Sequence, residues 1–224
     1  MRATATRASE LLRSEGVAGV RLRVLDATVY RRLIVHTRSL RRSSPAPGPE
    51  TTAGAAAYSL LEADEVTAYR LLRPDTPAAE VRRRLDAGQL CMVARLDGAV
   101  VHARWCSTER LESAYLGFAI ELLPGIAYSY DSFTAPRARR LGIAIEATQR
   151  TDALLEEGGA ATTLGSVWPG NAAAIAMFTK LGRSPIGSLG SLRVGRRRRL
   201  IRHRLASGYV GTAHRFEPGA NAGL

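Results

Sequence analysis

The 224-residue chain has two cysteines, too few for a disulfide framework. Aromatic residues are sparse at 6%, and lysine is nearly absent, with Lys180 set against 31 arginines. An excess of Arg, Ala and Gly of this kind follows from genome composition as readily as from function. The N-terminus lacks the apolar core of about 7–15 residues that a secretory signal peptide needs, so a reducing, cytoplasmic location is the default expectation. The longest uncharged stretch, residues 158–179, is interrupted by Pro169-Gly170-Asn171, and no membrane-spanning helix is expected there. The four histidines, His36, His102, His203 and His214, have no metal-ligand spacing, so no metal is expected.

The net charge of +12 is unevenly spread. Residues 1–48 carry 10 Arg against three acids, residues 187–216 carry eight Arg against none, and the centre, 49–186, is near neutral with 14 basic and 16 acidic residues. A uniformly basic nucleic-acid-binding fold is thereby disfavoured. Contact with an anionic surface would fall to the two ends. Residues 43–57 contain three prolines and no large apolar side chain before Tyr58, the composition of a linker. The expected organisation is a basic N-terminal segment (1–42), packed on the body as an arm or solvated, the linker (43–57), a catalytic or binding domain (58–205) and a flexible C-terminal tail (206–224).

Within the body, Asp64 to Arg73 reads as a helix ended by Pro74, and Thr76 can cap a second helix that begins at Pro77 and ends near Gly88. Asp97-Gly98 between two apolar runs predicts a two-residue hairpin. Leu96 opposite Ala99 would put Cys91 opposite Arg104 and make Cys91 and Cys106 diagonal neighbours on one face, both reduced packing residues. A strand over 126–134 follows, then a helix from about Leu141 to Glu157, a strand over 161–167, a helix capped by Asn171 and ended by Gly182, and a closing hairpin. This order predicts an α/β (α+β mixed) fold, a mixed sheet with flanking helices.

One segment carries chemistry. Pro136-Arg137-Ala138-Arg139-Arg140-Leu141-Gly142-Ile143-Ala144 joins a strand directly to a helix through small residues, a geometry that leaves backbone N–H groups free to hold a pyrophosphate. Neither a P-loop nor a Gly-x-Gly-x-x-Gly fingerprint is present. Arg139-x-x-Gly142-x-Ala144 resembles the coenzyme A loop of the GNAT superfamily of acyl-CoA N-acyltransferases, Gln/Arg-x-x-Gly-x-Gly/Ala. Asn171-x-x-Ala174-x-x-Met177-Phe178-x-Lys180-Leu181-Gly182, which starts 32 residues after Arg139, is similar to the family's later helix, Asn-x-x-Ala-x-x-x-Tyr-x-x-x-Gly. The resemblance covers about residues 58–195.

This resemblance implies a splayed mixed sheet with acyl-CoA in a V-shaped gap between the strands near residues 131 and 165. The pyrophosphate would lie on the N–H groups of Arg139, Arg140, Leu141, Gly142, Ile143 and Ala144. The pantetheine arm would run along Phe133 and Thr134, reach Asn171 and pass the position of Phe178. It further implies acetyl-CoA as acyl donor, no metal, and a small-molecule or peptide amine as acceptor, attacked directly without a cysteine nucleophile.

Phe178 stands where the family usually has a proton-donating Tyr, and Gly182 is followed by Arg183 where the family usually continues Gly-Phe. Tyr128 and Tyr130 are candidate replacement acids, and Asp131 is a candidate base acting through water. Strand alternation keeps all three off one face unless a bulge intervenes, and core packing for the tyrosines or an ion pair for Asp131 remains open. The other reading is a catalytically silent GNAT-like module that binds CoA or a partner, with basic arms for a membrane or polyanion. No specific nucleic acid is expected, and a homodimer is left open.

Overall fold

The computed structural model describes residues 30–40, 56–194, 197–205 and 208–216. Among them, eleven strands form two sheets, flanked by four α-helices. The strands are β1 (Tyr30–Ser39), β2 (Ala57–Leu60), β3 (Leu90–Leu96), β4 (Ala99–Ser107), β5 (Arg110–Ser113), β6 (Phe118–Leu122), β7 (Ile126–Thr134), β8 (Thr162–Val167), β9 (Ser184–Val194), β10 (Arg197–His203) and β11 (Val210–Arg215). The helices are α1 (Val66–Leu72), α2 (Ala78–Asp86), α3 (Ile143–Glu157) and α4 (Ala172–Lys180). The large sheet runs β10-β9-β1-β8-β7-β4-β3-β2, and the small one β11-β6-β5.

Every neighbour pair in the large sheet is antiparallel except β7–β8. A parallel pair needs a crossover, and α3 supplies it: the chain leaves β7, runs down α3 and returns as β8. The α3 side of the sheet packs Leu155 and Ala160 on Cys106 and Ala127, and Ile143 on Ala94 and Val101. The opposite side carries two larger apolar clusters. One is Tyr69, Val81, Cys91, Val93, Ala103 and Trp105 beneath α1 and α2, and the other joins Leu111, Leu116 and Ile120 of the small sheet region to Val35, Leu164 and Leu189 of the large one.

Several sequence expectations change. Over residues 30–39 the N-terminal segment is neither an arm packed on the body nor a solvated face, because β1 lies in the middle of the sheet, antiparallel to both β8 and β9. Its arginines hid the pattern: Arg31 and Arg38 have interaction partners on the protein, so the strand's cations are not an uninterrupted solvated face. Nor is 206–224 a tail throughout, since Val210–Arg215 pairs with β6. Of the linker, residues 43–55 lie outside the described residues, and its last residue, Ala57, already belongs to β2. Finally, a register shift between Ala94 and Arg95 pairs Cys91 with Trp105 and Leu90 with Cys106, so the two free, buried cysteines occupy opposite faces and separate clusters. A bulge next to the turn moves every later pair by one residue and so flips the faces. The second helix also starts one residue late, with Pro77 rather than Thr76 at its N-cap.

Candidate functional site

The one parallel pair forks. Its register runs from Ile126↔Thr162 to Ser129↔Gly165 and stops, although β7 continues to Thr134 and β8 to Val167. Beyond the fork β7 stays paired with β4 and β8 with β1, so each branch is held on its outer side and unpaired on its inner side. An unpaired strand edge offers N–H and C=O groups to an amide-bearing ligand.

On the β7 branch the strand bulges. His102↔Thr134 and Ala103↔Phe133 are followed by Trp105↔Tyr130, leaving Asp131 and Ser132 opposite Arg104, with Asp131 at φ 45°. The extra residue breaks the alternation and brings Tyr128, Tyr130 and Asp131 to one cavity of about 410 Å³. Arg84, Glu112 and Tyr115 also line it. The cavity's lining comes from the first two helices and the turn between them, and from residues 112–115.

The three candidate residues are differently engaged. Tyr128 is buried, and its hydroxyl lies 2.6 Å from Ser166 Oγ, across the mouth of the fork. Burial pushes its pKa up to about 12, partly offset by that hydrogen bond, so the phenol keeps its proton at neutral pH. Its ring stacks on Tyr130, with centroids 5.6 Å apart and planes 5° apart. Tyr130 donates its hydroxyl to Gln89 Oε1, and burial raises its pKa too, against the opposing pull of Arg84. Asp131 accepts from Arg84 Nη1 at 2.8 Å and contacts Arg73 Nη2 at 2.9 Å, so each carboxylate oxygen meets a guanidinium. That arrangement anchors α1 and α2 to the bulge.

The loop between β7 and α3 has the geometry of an anion cradle. Pro136–Ala138 makes one 3-10 turn, Arg140 and Gly142 take left-handed φ of 67° and 80°, and Gly142 is the N-cap of α3. The first intrahelical bonds run from Ile145 and Glu146 to Gly142 O, so the amides of Ile143 and Ala144 precede them and stand at the positive end of the helix. Arg139 and Arg140 are exposed. Arg139 Nε donates to Thr134 O at 3.2 Å, which occupies one carbonyl on the branch expected to receive the pantetheine arm. Phe133 lies under Arg73, whose guanidinium carbon is 5.0 Å from the ring centroid. Leu141 is half-buried beside the apolar patch that holds Ile143.

Asn171 is the N-cap of α4, its Oδ1 accepting from Ala174 N at 3.1 Å. Its amide nitrogen is the half left to reach outward. Phe178 is buried on the α3 face, edge-on to His36 with centroids 5.0 Å apart, and beneath Arg183. A Cβ on Gly165 would come within 2.9 Å of its Cζ. The ring therefore packs against the base of the fork on the side away from Tyr128 and Ser166. The sequence signals missed Ser166, Gln89 and Glu112. Ser166 is recognisable only once β8 is registered against β7.

This is an α/β protein built on a mixed sheet that splits between two parallel strands. Its fold resembles that of the GNAT family of acetyltransferases. A protein assigned to that family from Novosphingobium aromaticivorans superposes with a TM-score of 0.51 at 16% identity, over 72% of this chain and 64% of its own. A GCN5-related N-acetyltransferase from Kribbella flavida gives 0.49 at 18%, over 70% and 56%. An aminoglycoside 6'-N-acetyltransferase from Acinetobacter baumannii gives 0.46 at 20%, over 57% and 89%. The chain thus spans less than two thirds of the first two. No family model matches the sequence, and no curated protein matches it. Among the described residues no helix is long and apolar enough to cross a membrane.

Proposed function

We propose that the chain is an acyl-CoA-dependent N-acyltransferase that moves an acetyl group to a primary amine by direct attack. The observation that carries this reading is the fork after Ser129 and Gly165, set between the glycine-capped start of α3 and the cavity lined by Tyr128, Tyr130 and Asp131. A ligand with a pyrophosphate at one end, an amide-bearing arm and a reactive thioester at the other fits that sequence of sites. Acetyl-CoA would supply the activated acyl group. The amides of Ile143 and Ala144 bind its pyrophosphate, with Arg139 and Arg140 adding charge, and the inner edge of β7 from Tyr130 to Thr134 orients the arm, with Asn171 beyond it.

At the thioester, the Tyr128 hydroxyl holds the proton that the departing thiolate needs. A phenol with a raised pKa remains protonated and is delivered by the Ser166 contact to the mouth of the fork. This role replaces the hydroxyl that Phe178 lacks. Asp131, tied to Arg73 and Arg84, orients the acceptor side and relays a proton through water rather than touching the amine. The acceptor is a small-molecule or peptide amine that enters the cavity beside Glu112 and Tyr115. A soluble, cytoplasmic setting accords with this reading.

The test is release of CoA thiol from acetyl-CoA across a panel of amines. With a productive amine, Tyr128→Phe lowers kcat by about 10²–10⁴-fold, the usual range for a positioned general acid. Tyr130→Phe and Asp131→Asn have smaller effects. A productive amine whose turnover none of the three changes slows would overturn these assignments. Phe178, with no hydroxyl, favours a second reading as a silent CoA-binding module, which predicts CoA binding with no turnover on any amine.

A further inference from the structure

On the α3 face, behind the fork, the sheet buries cations where its other face buries leucine and tryptophan. Arg104 of β4 is 2% exposed, and Arg183, between α4 and β9, is 4% exposed. Arg183 and Arg38 of β1 flank Asp152 of α3, itself buried. Arg38 Nη1 takes Asp152 Oδ2 at 2.9 Å, but Arg183 Nη2 is 3.8 Å from Oδ1, too far for a hydrogen bond. Arg104 Nη1 donates to Thr148 Oγ1 at 2.7 Å. Among the described residues, Arg104 Nε and Nη2 and all three guanidinium nitrogens of Arg183 are buried without a hydrogen-bond partner, as is Asp152 Oδ1.

Asp152 is shared by Arg38 and Arg183, and its contact with Arg183 is longer than a hydrogen bond, so the buried guanidinium groups of Arg104 and Arg183 are left short of hydrogen-bonded partners among the described residues. A guanidinium does not escape this by losing its proton. Burial foremost, then Arg104, brings the Arg183 pKa down to about 10, which still leaves it charged at neutral pH. The nearby histidines cannot absorb charge either, and burial holds both His36 and His102 below the ordinary imidazole value. Buried charges persist when paired, and five unused N–H-bearing nitrogens mark where the missing partner belongs.

We propose that a small monovalent anion of the halide or nitrate class binds between Arg104 and Arg183, behind the base of the fork. Gly165 permits the close approach of β8 to these side chains: a Cβ there would lie 2.9 Å from Phe178 Cζ and 3.1 Å from Arg183 Nη1. The stack of Arg183 on Phe178, 5.3 Å from guanidinium carbon to ring centroid, fixes the guanidinium plane and with it the directions in which its N–H groups can donate. The anion does not depend on acyl-CoA use, and it explains why an arginine follows Gly182.

The test is thermal unfolding of the full chain in sodium chloride, bromide or gluconate at one constant total ionic strength. Replacing gluconate by halide raises Tm by about 3–6 °C for each tenfold increase above the dissociation constant, as expected for a ligand bound by the native state alone. Arg183→Met removes that halide-specific increment. Crystals grown with bromide, independent of any variant's ability to fold, give an anomalous peak within hydrogen-bonding reach of Arg104 and Arg183. Equal Tm in halide and gluconate, an increment that survives Arg183→Met, or no bromide peak between the two arginines would each overturn the proposal.

Discussion

The two faces of the large sheet are built on different principles. Away from α3, Trp105, Tyr69, Leu111, Ile120, Leu164 and Leu189 are wholly buried in two apolar clusters, with Trp105 Nε1 donating to Tyr69 Oη at 3.0 Å and the rings edge-to-face at 5.9 Å. On the α3 face, the middle of the sheet holds Arg104, Arg183, His36, His102, Thr148 and Asp152. The first face supplies stability through apolar area removed from water. The second spends part of it to concentrate positive charge behind a forked strand pair and a helix N-terminus, the side on which a pyrophosphate would approach.

The contrast is broken most severely at Trp105. Trp105→Ala lowers unfolding free energy by about 3–5 kcal/mol in urea titration, because it opens a cavity and strands the Tyr69 hydroxyl. A loss below about 1 kcal/mol would mean that this face is not the stabilising one. On the charged face, Asp152→Asn removes the one acid that Arg38 and Arg183 share and costs about 3 kcal/mol by the same measurement.

The charged face also predicts a loss of stability on the acid side. His102 hydrogen-bonds Thr134 Oγ1 at 2.8 Å, and its pKa falls from 6.5 to about 4, through burial and then Arg104. The unfolded chain therefore binds the proton more tightly than the folded one. Stability is intact above pH 6.5 and falls as the pH drops toward 4, by up to about 3 kcal/mol for this residue. In a series of unfolding curves, His102→Asn flattens that decline, and an unchanged slope would place its origin elsewhere. The smallest effect belongs to the rim, where Arg150→Ala breaks an exposed pair with Glu146 and a contact with Tyr58 and costs no more than about 1 kcal/mol.

How much of this the sequence discloses depends on range. Asp97-Gly98, Asn171 and Gly182 act within a few residues, and the hairpin, the α4 cap and the α4 terminus stand where they indicate. The strand at 126–134 is read to its ends, and the GNAT-like loop leads directly to the glycine-capped start of α3. Long-range partners are not legible. β1 looks like a basic arm because Arg31 and Arg38 find Tyr115 and Asp152 only in three dimensions, 84 and 114 residues away. The bulge at Asp131, which gathers the two tyrosines and the acid on one cavity, appears in the sequence only as a condition that must hold. Cys91 and Cys106 change faces for the same reason, a one-residue shift with no local signal.

The account turns on the fork receiving an acyl-CoA, and calorimetric titration of the intact chain with acetyl-CoA tests that most directly, beside Ala144→Asp. An acid at the second position of α3 favours the helix itself while repelling a pyrophosphate, so loss of binding cannot be put down to unfolding. The account predicts micromolar binding that the variant loses at unchanged Tm. No binding to the intact chain, or equal binding to both, would contradict it.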